Sequence, residues 1–258
     1  MSALRYVYGI VPSQAAAALE LTDILGIDGT RVRAIVDGPF AAAYSEVDDA
    51  VYGESGLNER VRDLDWLTPR ATAHQSVNAR LLELAGVVLP LSFGALYRDD
   101  ARVKEMLRED APARRARLDA LSGRAEWVVT VLRDAGSAAG AADDLRALDD
   151  EIASSAPGKG YLLEKRRTTV ATEAAARADA DAAERALGAL IRVAERSYRE
   201  PVAKGGRDVV VLRVSLLAPR AKTGVLDGAI AAVTRELDPL GYRVRATGPW
   251  PAYRFGSL

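Results

Sequence analysis

His74 is the only histidine in the chain, and there is no cysteine. A lone imidazole rules out an H-E-x-x-H zinc site, and no G-x-S-x-G or Ser-x-x-Lys signature supplies a serine nucleophile. The absence of thiols also removes disulfides, thiolate metal sites, iron–sulfur clusters and cysteine nucleophiles, and fits a reducing cytoplasm. His74 lies in a helical pattern and is expected to be a surface or interhelix residue. The Pro157-Gly158-Lys159-Gly160-Tyr161 stretch carries a lysine between glycines but lacks the second half of a phosphate-binding loop. It reads as a loop and helix cap, with weak anion binding at a helix start as the alternative. Carboxylates come as neighbours: Asp48-Asp49, Asp99-Asp100, Asp143-Asp144 and Asp149-Asp150-Glu151. Adjacent helical residues point about 100° apart, so these pairs do not converge on a metal. Helix starts and solvated faces account for them, and for Asp63 and Asp65. Arg114, Arg115 and Arg117, and Lys165, Arg166 and Arg167, form local basic clusters offset by acidic neighbours. Solvated faces are expected there, with an acidic partner surface as the alternative. No catalytic constellation remains and no cofactor is implied, so a non-enzymatic binding or assembly role is expected.

The elements that would position these residues can be read from pattern. Residues 4–11 form a strand ended by Pro12. Strands 31–36 and 40–47 meet at Asp37-Gly38-Pro39, a tight-turn signal. A short helix is expected over 57–66. A second runs over 68–86, with Thr68 as N-cap, Pro69 at its first position and Gly86 as its stop. Its apolar residues Ala73, Val77, Leu81 and Leu84 share a face. Residues 87–97 read as a strand in which Pro90, having no N–H, demands an edge or a bulge. Asp99 or Asp100 caps a helix to about 109, and another spans 112–121. Beyond Ser122-Gly123 come a strand at 124–134, a loosely structured stretch at 135–144, a helix near 142–154 and a loop at 154–160. One long helix is expected over 161–199. Ala176, Ala180, Ala183, Leu187, Leu190 and Ala194 would form a heptad-like seam against a neighbouring helix or another chain. A strand at 207–219, a helix at 221–237 and a strand at 241–250 follow. The final stretch, Gly248 to Phe255, reads as a stiff closing strand, because Pro249 and Pro251 fix the backbone and Trp250 gains by burial.

At 258 residues, two domains are expected: an N-terminal α+β domain over 1–122 and a C-terminal domain over 123–258. One more short strand would make the second a ferredoxin-like sandwich, helices on one face of an antiparallel sheet. The fold class is therefore α+β. A net charge of −1 argues against a nucleic-acid binder. No apolar run is long enough to cross a membrane, and the opening residues do not read as a secretory signal.

Several of these landmarks occur in a familiar order. The chain opens with Tyr-Val-Tyr-Gly-Ile-Val (6–11). Then comes the Leu-Pro-x-x-Phe-Gly core at Leu89, Pro90, Phe93 and Gly94, followed by an acidic helix start. Residues 123–134 and 157–167 come next, and Gly248, Pro249, Trp250, Pro251, Tyr253 and Phe255 close the series. The series resembles the gas vesicle protein F/L family along essentially the whole chain. Ala252-Tyr253-Arg254 departs from the family pattern, while Trp250 and Phe255 are kept. The resemblance does not separate the F from the L branch. It implies a minor gas vesicle protein needed to assemble the vesicle, with no known catalytic activity, located at the gas vesicle and cytoplasmic before assembly. It also implies the same two domains. Its partners would be the major shell protein (GvpA-like) and other minor gas vesicle proteins, contacted through an exposed sheet edge or the alanine-rich seam. The named residues are fold or partner-contact signatures in this reading. A ferredoxin-like ligand-binding or regulatory module is the alternative.

Overall fold

A computed structural model describes residues 3–134, 142–155, 157–202 and 208–256. Most of the expected 135–144 stretch lies outside these residues, as do the side chains of Asp143-Asp144. The chain forms two compact units. One contains residues 1–126, 219–221 and 249–258; the other contains 127–218 and 222–248.

The first unit opens with β1 (Ala3–Pro12), whose β-branched and aromatic residues are buried on both faces. A short helix α1 (Ala16–Leu21) follows. Then come β2 (Arg33–Asp37) and β3 (Phe40–Asp48), joined through a two-residue turn. The expected turn at Asp37-Gly38-Pro39 is present, since Asp37 pairs with Phe40. Helices α2 (Asp49–Tyr52), α3 (Glu54–Arg60) and α4 (Leu64–Ala85) precede the short strands β4 (Leu89–Pro90) and β5 (Leu96–Tyr97). Helices α5 (Asp100–Arg108) and α6 (Ala111–Leu121) complete the run. The sheet order is β2-β3-β1-β4, with β5 also pairing β1. β1 pairs antiparallel with β3, β4 and β5. Pro90 therefore sits on an end strand, where its missing N–H is tolerated.

Three expectations in this unit are corrected. The short helix expected over 57–66 is instead α3, ending at Arg60, and residues 64–66 open α4 after the Asp63 cap. The helix assigned to 68–86 starts a turn earlier, at Leu64. Asp63 caps it by accepting from the N–H groups of Asp65 and Trp66. Pro69 is thus inside the helix rather than at its first position, and the carboxylate cap outweighs the local Thr-Pro signal. The single strand expected over 87–97 is two short strands separated by residues 91–95. The Asp99 cap is as read: its carboxylate accepts from the Arg102 N–H.

The second unit is built on β6 (Arg124–Asp134), α7 (Ala142–Ala153), α8 (Pro157–Ile191), β7 (Arg196–Arg199), β8 (Asp208–Pro219), α9 (Thr223–Leu237) and β9 (Tyr242–Trp250), apart from the strand ends 124–126, 219 and 249–250, which fall in the first unit. Its strand order is β7-β8-β6-β9. Counted along the chain, that is second, third, first, fourth, and with the helix placement it gives the ferredoxin-like β-α-β-β-α-β arrangement. The missing short strand is β7, antiparallel to β8, with Arg196 opposite Leu217 and Arg199 opposite Val214.

The long helix differs from expectation at both ends. It begins at Pro157, so Gly158-Lys159-Gly160 lies in its first turn and not in a loop. It stops at Ile191, because residues 196–199 pair with β8 instead. Its 35 residues span about 52 Å. The expected seam is in phase only towards its C-terminal end, at Ala183 and Leu190. Ala176 and Ala180 are exposed, whereas Leu163, Ala174, Ala182, Ala183, Ala186 and Leu190 are buried. Against α7, Ala174 packs with Leu145, Val170 and Ala171. Arg133 of β6 makes a two-pronged bond to Asp179 of α8, at 2.7 and 2.9 Å, and the Tyr242 hydroxyl joins Asp179 at 3.1 Å. Burial and Asp179 together push Tyr242 up to about 12.

The last residues also differ. β9 ends at Trp250, and Tyr253–Gly256 form a helical turn, α10, counted with the first unit. The stretch from Gly248 to Phe255 is therefore a strand end followed by a turn, and not one closing strand.

Candidate functional site

The chemistry-bearing side chains of the first unit converge inside its core. β1 aims Tyr6 and Tyr8 at the buried face of α4, where His74 and Asn78 lie one turn apart. His74 is 4% exposed, so the expectation of a surface or interhelix residue is corrected. Its Nε2 lies 3.2 Å from the Leu91 carbonyl and therefore carries the proton as donor. Its Nδ1 then accepts from the Tyr6 hydroxyl at 2.9 Å. That hydroxyl in turn accepts the Gly94 N–H at 3.2 Å. The Asn78 amide nitrogen also lies 3.2 Å from that Nε2. Burial, only partly opposed by the Leu91 carbonyl, pulls the imidazole pKa down from 6.5 to about 4. Burial also raises Tyr6 well above the usual tyrosine range.

Asn78 donates from Nδ2 to the Tyr8 carbonyl at 3.1 Å. Its Oδ1 faces Gly9 so closely that a Cβ there would stand 2.6 Å away. The Tyr8 hydroxyl accepts the Ile27 N–H at 2.9 Å and donates to Ser45 Oγ at 3.0 Å. At the rim, the Tyr52 hydroxyl donates to Asp28 at 2.5 Å and accepts from Arg70 at 2.9 Å. The Arg70 guanidinium lies 4.3 Å from the centre of the Trp66 ring. The positive φ of 51° at Asp28 is sustained by these bonds.

Leu89 is fully buried, and Pro90 lies opposite Gly9 on β1. The Phe93 ring sits edge-on to Tyr6 and His74, with centroids at 5.9 and 5.8 Å. Gly94 has φ 87°, a left-handed conformation that lets its N–H reach Tyr6. The closing signature meets this segment only in part. α10 packs on β4, with Leu89 and Leu121 against Gly256, and Pro251 and Ala252 are buried. The Arg254 N–H donates to the buried Glu126 carboxylate at 2.8 Å. Burial pushes the Tyr253 hydroxyl up to about 12, against a smaller pull from Asn78. Trp250 and Phe255 are half-buried, while Gly248 and Pro249 are exposed and are not drawn into this cluster.

This arrangement leaves little for acid–base work. The imidazole is neutral near pH 7, and its neighbours are hydroxyls held protonated by burial. Among the described residues, no group of three or more His, Asp or Glu side chains is placed to hold a metal ion. A surface cleft of about 570 Å³ is lined by Tyr97, Arg102, Glu105, Met106, Arg108 and Glu109. Its Arg102 pairs with Glu105 and its Arg108 with Asp37. Arg114 of the first basic cluster is buried and donates to the Leu107 and Glu109 carbonyls, closing the end of α5. In the second cluster, Arg167 pairs with Asp149. No described helix is long and apolar enough to cross a membrane.

Sequence reading missed His74, Asn78, Tyr6 and Tyr8 as one cluster. The signal was present: positions 74, 77, 78 and 81 share a helical face, and 6 and 8 share a strand face.

Comparison with known proteins agrees with the architecture. The chain is 32% identical to gas vesicle protein L of Streptomyces sp. (strain CB03234), covering 99% of this chain and 93% of that protein. It is 29% identical to gas vesicle protein F of the same organism, covering 97% and 98%. The crystal structure of GvpF from Anabaena sp. PCC7120 superposes with a TM-score of 0.75 at 17% identity, covering 100% and 99% of the two chains. Residues 4–257 match the family described as gas vesicle synthesis protein GvpL/GvpF. The chain belongs to the GvpL/GvpF gas vesicle synthesis family.

Proposed function

We propose that this chain binds the small major shell protein in the cytoplasm and delivers it to the growing vesicle, supporting nucleation and assembly. Family membership carries its role in gas vesicle formation. The mechanism follows from the shell's own physics. A wall that excludes water needs an apolar inner face, so its free subunit is aggregation-prone. A water-compatible partner that covers part of that surface keeps the subunit available. The observation that favours surface binding over turnover is the direction of the polar cluster: Tyr6, His74 and Asn78 bond inward to Leu91, Gly94 and Tyr8. Of the two contact routes, the sheet edge is favoured over the α8 seam, because Ala183 and Leu190 of that seam are already buried. Other minor gas vesicle proteins are further partners in this reading.

The test is co-purification of the tagged chain with the shell protein, together with deletion and microscopy. Capture of the shell protein, and loss of gas-filled vesicles on deletion, are expected. Normal flotation without the chain, or failure to capture the shell protein, overturns the proposal.

A further inference from the structure

The outer edge of β2 is occupied by this chain's own groups in a way that imitates an added strand. In the β2–β3 hairpin, Arg33, Ile35 and Asp37 pair opposite Tyr44, Ala42 and Phe40. Because Asp37 and Phe40 close a two-residue turn, the N–H and C=O of Ala34 and Val36 point away from β3. The Ala34 N–H does not go to solvent. It donates to Glu20 Oε1 at 2.7 Å, where a neighbouring strand would place a backbone carbonyl.

Glu20 is held in turn by Arg31, whose Nη2 donates to the Glu20 carbonyl at 2.8 Å. Just before β2, the same side of the chain is closed by a strand stub. The Val32 N–H donates to Ile24 O at 2.9 Å, the Gly26 N–H to Thr30 O at 2.7 Å, and Leu25 bridges Arg31. The line of paired backbone thus runs through the stub, passes to one carboxylate, and ends before Val36.

This cover is slight. α1 has six residues, and among its described side chains only Leu19 is buried. Leu25 and Val36 are 64% and 45% exposed, so the edge carries apolar side chains ready for contact. The other edges differ. β4 is two residues long and covered by α10, β7 is four residues long, and β9 carries Pro249. A short strand offers few bonds, and a proline withholds one.

We propose that the β2 edge is a strand-addition site closed by Glu20, and that its occupant is an extended apolar segment of the shell subunit. This rests on the reading that the chain binds that subunit. The incoming backbone continues the line of the Leu25 bridge, displaces the carboxylate from Ala34, bonds Val36, and covers the Val36 and Leu25 side chains.

The test uses the full chain, purified, against detergent-dispersed shell subunit. Glu20→Ala opens the edge, and affinity is expected to rise roughly tenfold, the worth of one charge-assisted hydrogen bond no longer broken. Glu20→Gln keeps an acceptor oxygen and is expected to bind like the parent chain. Ala34→Pro removes the outward N–H and no bond of the β3 ladder, while fixing φ at that position, and is expected to abolish most binding. Circular dichroism and the melting temperature of each variant confirm the fold, and the parent chain's Ala34 and Val36 amides are expected to exchange more slowly when the subunit is bound. If the subunit binds all variants equally and these amides are unaffected, the edge proposal is overturned while the shell-binding reading stands. If the parent chain does not bind the subunit at all, both fall.

Discussion

At the scale of single residues, His74 is the most informative side chain. Its folded pKa of about 4 lies below the ordinary 6.5, so the unfolded chain takes up a proton more readily than the folded one. The stability this contributes is complete above about pH 6.5 and drains away as pH falls towards 4, to a total of roughly 3 kcal/mol. Urea midpoints measured at steps between pH 7.5 and 4 are expected to fall across this window, and to fall less in His74→Gln. Equal slopes for both proteins would show that the imidazole is not held neutral. Gly9 supplies a second prediction. A Cβ there meets Asn78 Oδ1 at 2.6 Å, Val88 Cγ2 at 2.8 Å and the Leu89 carbonyl at 3.1 Å. Because one of these is backbone, Gly9→Ala is expected to cost about 1–3 kcal/mol in chemical denaturation. That a solitary histidine cannot build a two-histidine zinc site was legible, but its position was not. An imidazole on a mostly apolar helix face is ambiguous until the tyrosines opposite it are placed, and those come from a strand almost 70 residues away.

At the scale of elements, the two ways of starting α4 can be separated. Asp63 satisfies two N–H groups at the helix start, whereas Thr68 sits within the helix with its carbonyl accepting from the Thr72 hydroxyl. Asp63→Ala is expected to lower stability by about 1 kcal/mol and Thr68→Ala to change it little. The reverse ranking in thermal melts would restore the later start. Local chemistry made several elements readable: the Asp37-Gly38 turn, the Asp99 cap, and Gly86, which ends α4 in a left-handed conformation. Where reading failed, distant partners decided. Residues 196–199 have no strong local preference and become strand only because β8 lies beside them. The α8 phase was legible only in part because alanines occupy nearly every face of that helix between 171 and 189. Burial then follows from α7, whose Leu145 chooses Ala174.

At the scale of the whole molecule, the signatures at 89–94 and 248–255 were legible as a set, but their meeting point was not. Leu89 and Gly256 pack together because Pro251 and Ala252 carry the chain inward after β9. Removing residues 249–258 is expected to strip the cover from Leu89 and Leu121 and to leave Glu126 without the Arg254 N–H it accepts. Limited proteolysis should then cut the first unit sooner, while fragments spanning 127–248 survive as in the parent chain. Equal resistance in both proteins would show that the tail adds nothing to that unit. This interleaving also constrains biosynthesis. The first unit draws on residues that are translated only after all of the second, so its hydrophobic interior stays incomplete while more than a hundred further codons are read. The last cover over Leu89 and Leu121 therefore arrives only once synthesis has passed Gly256.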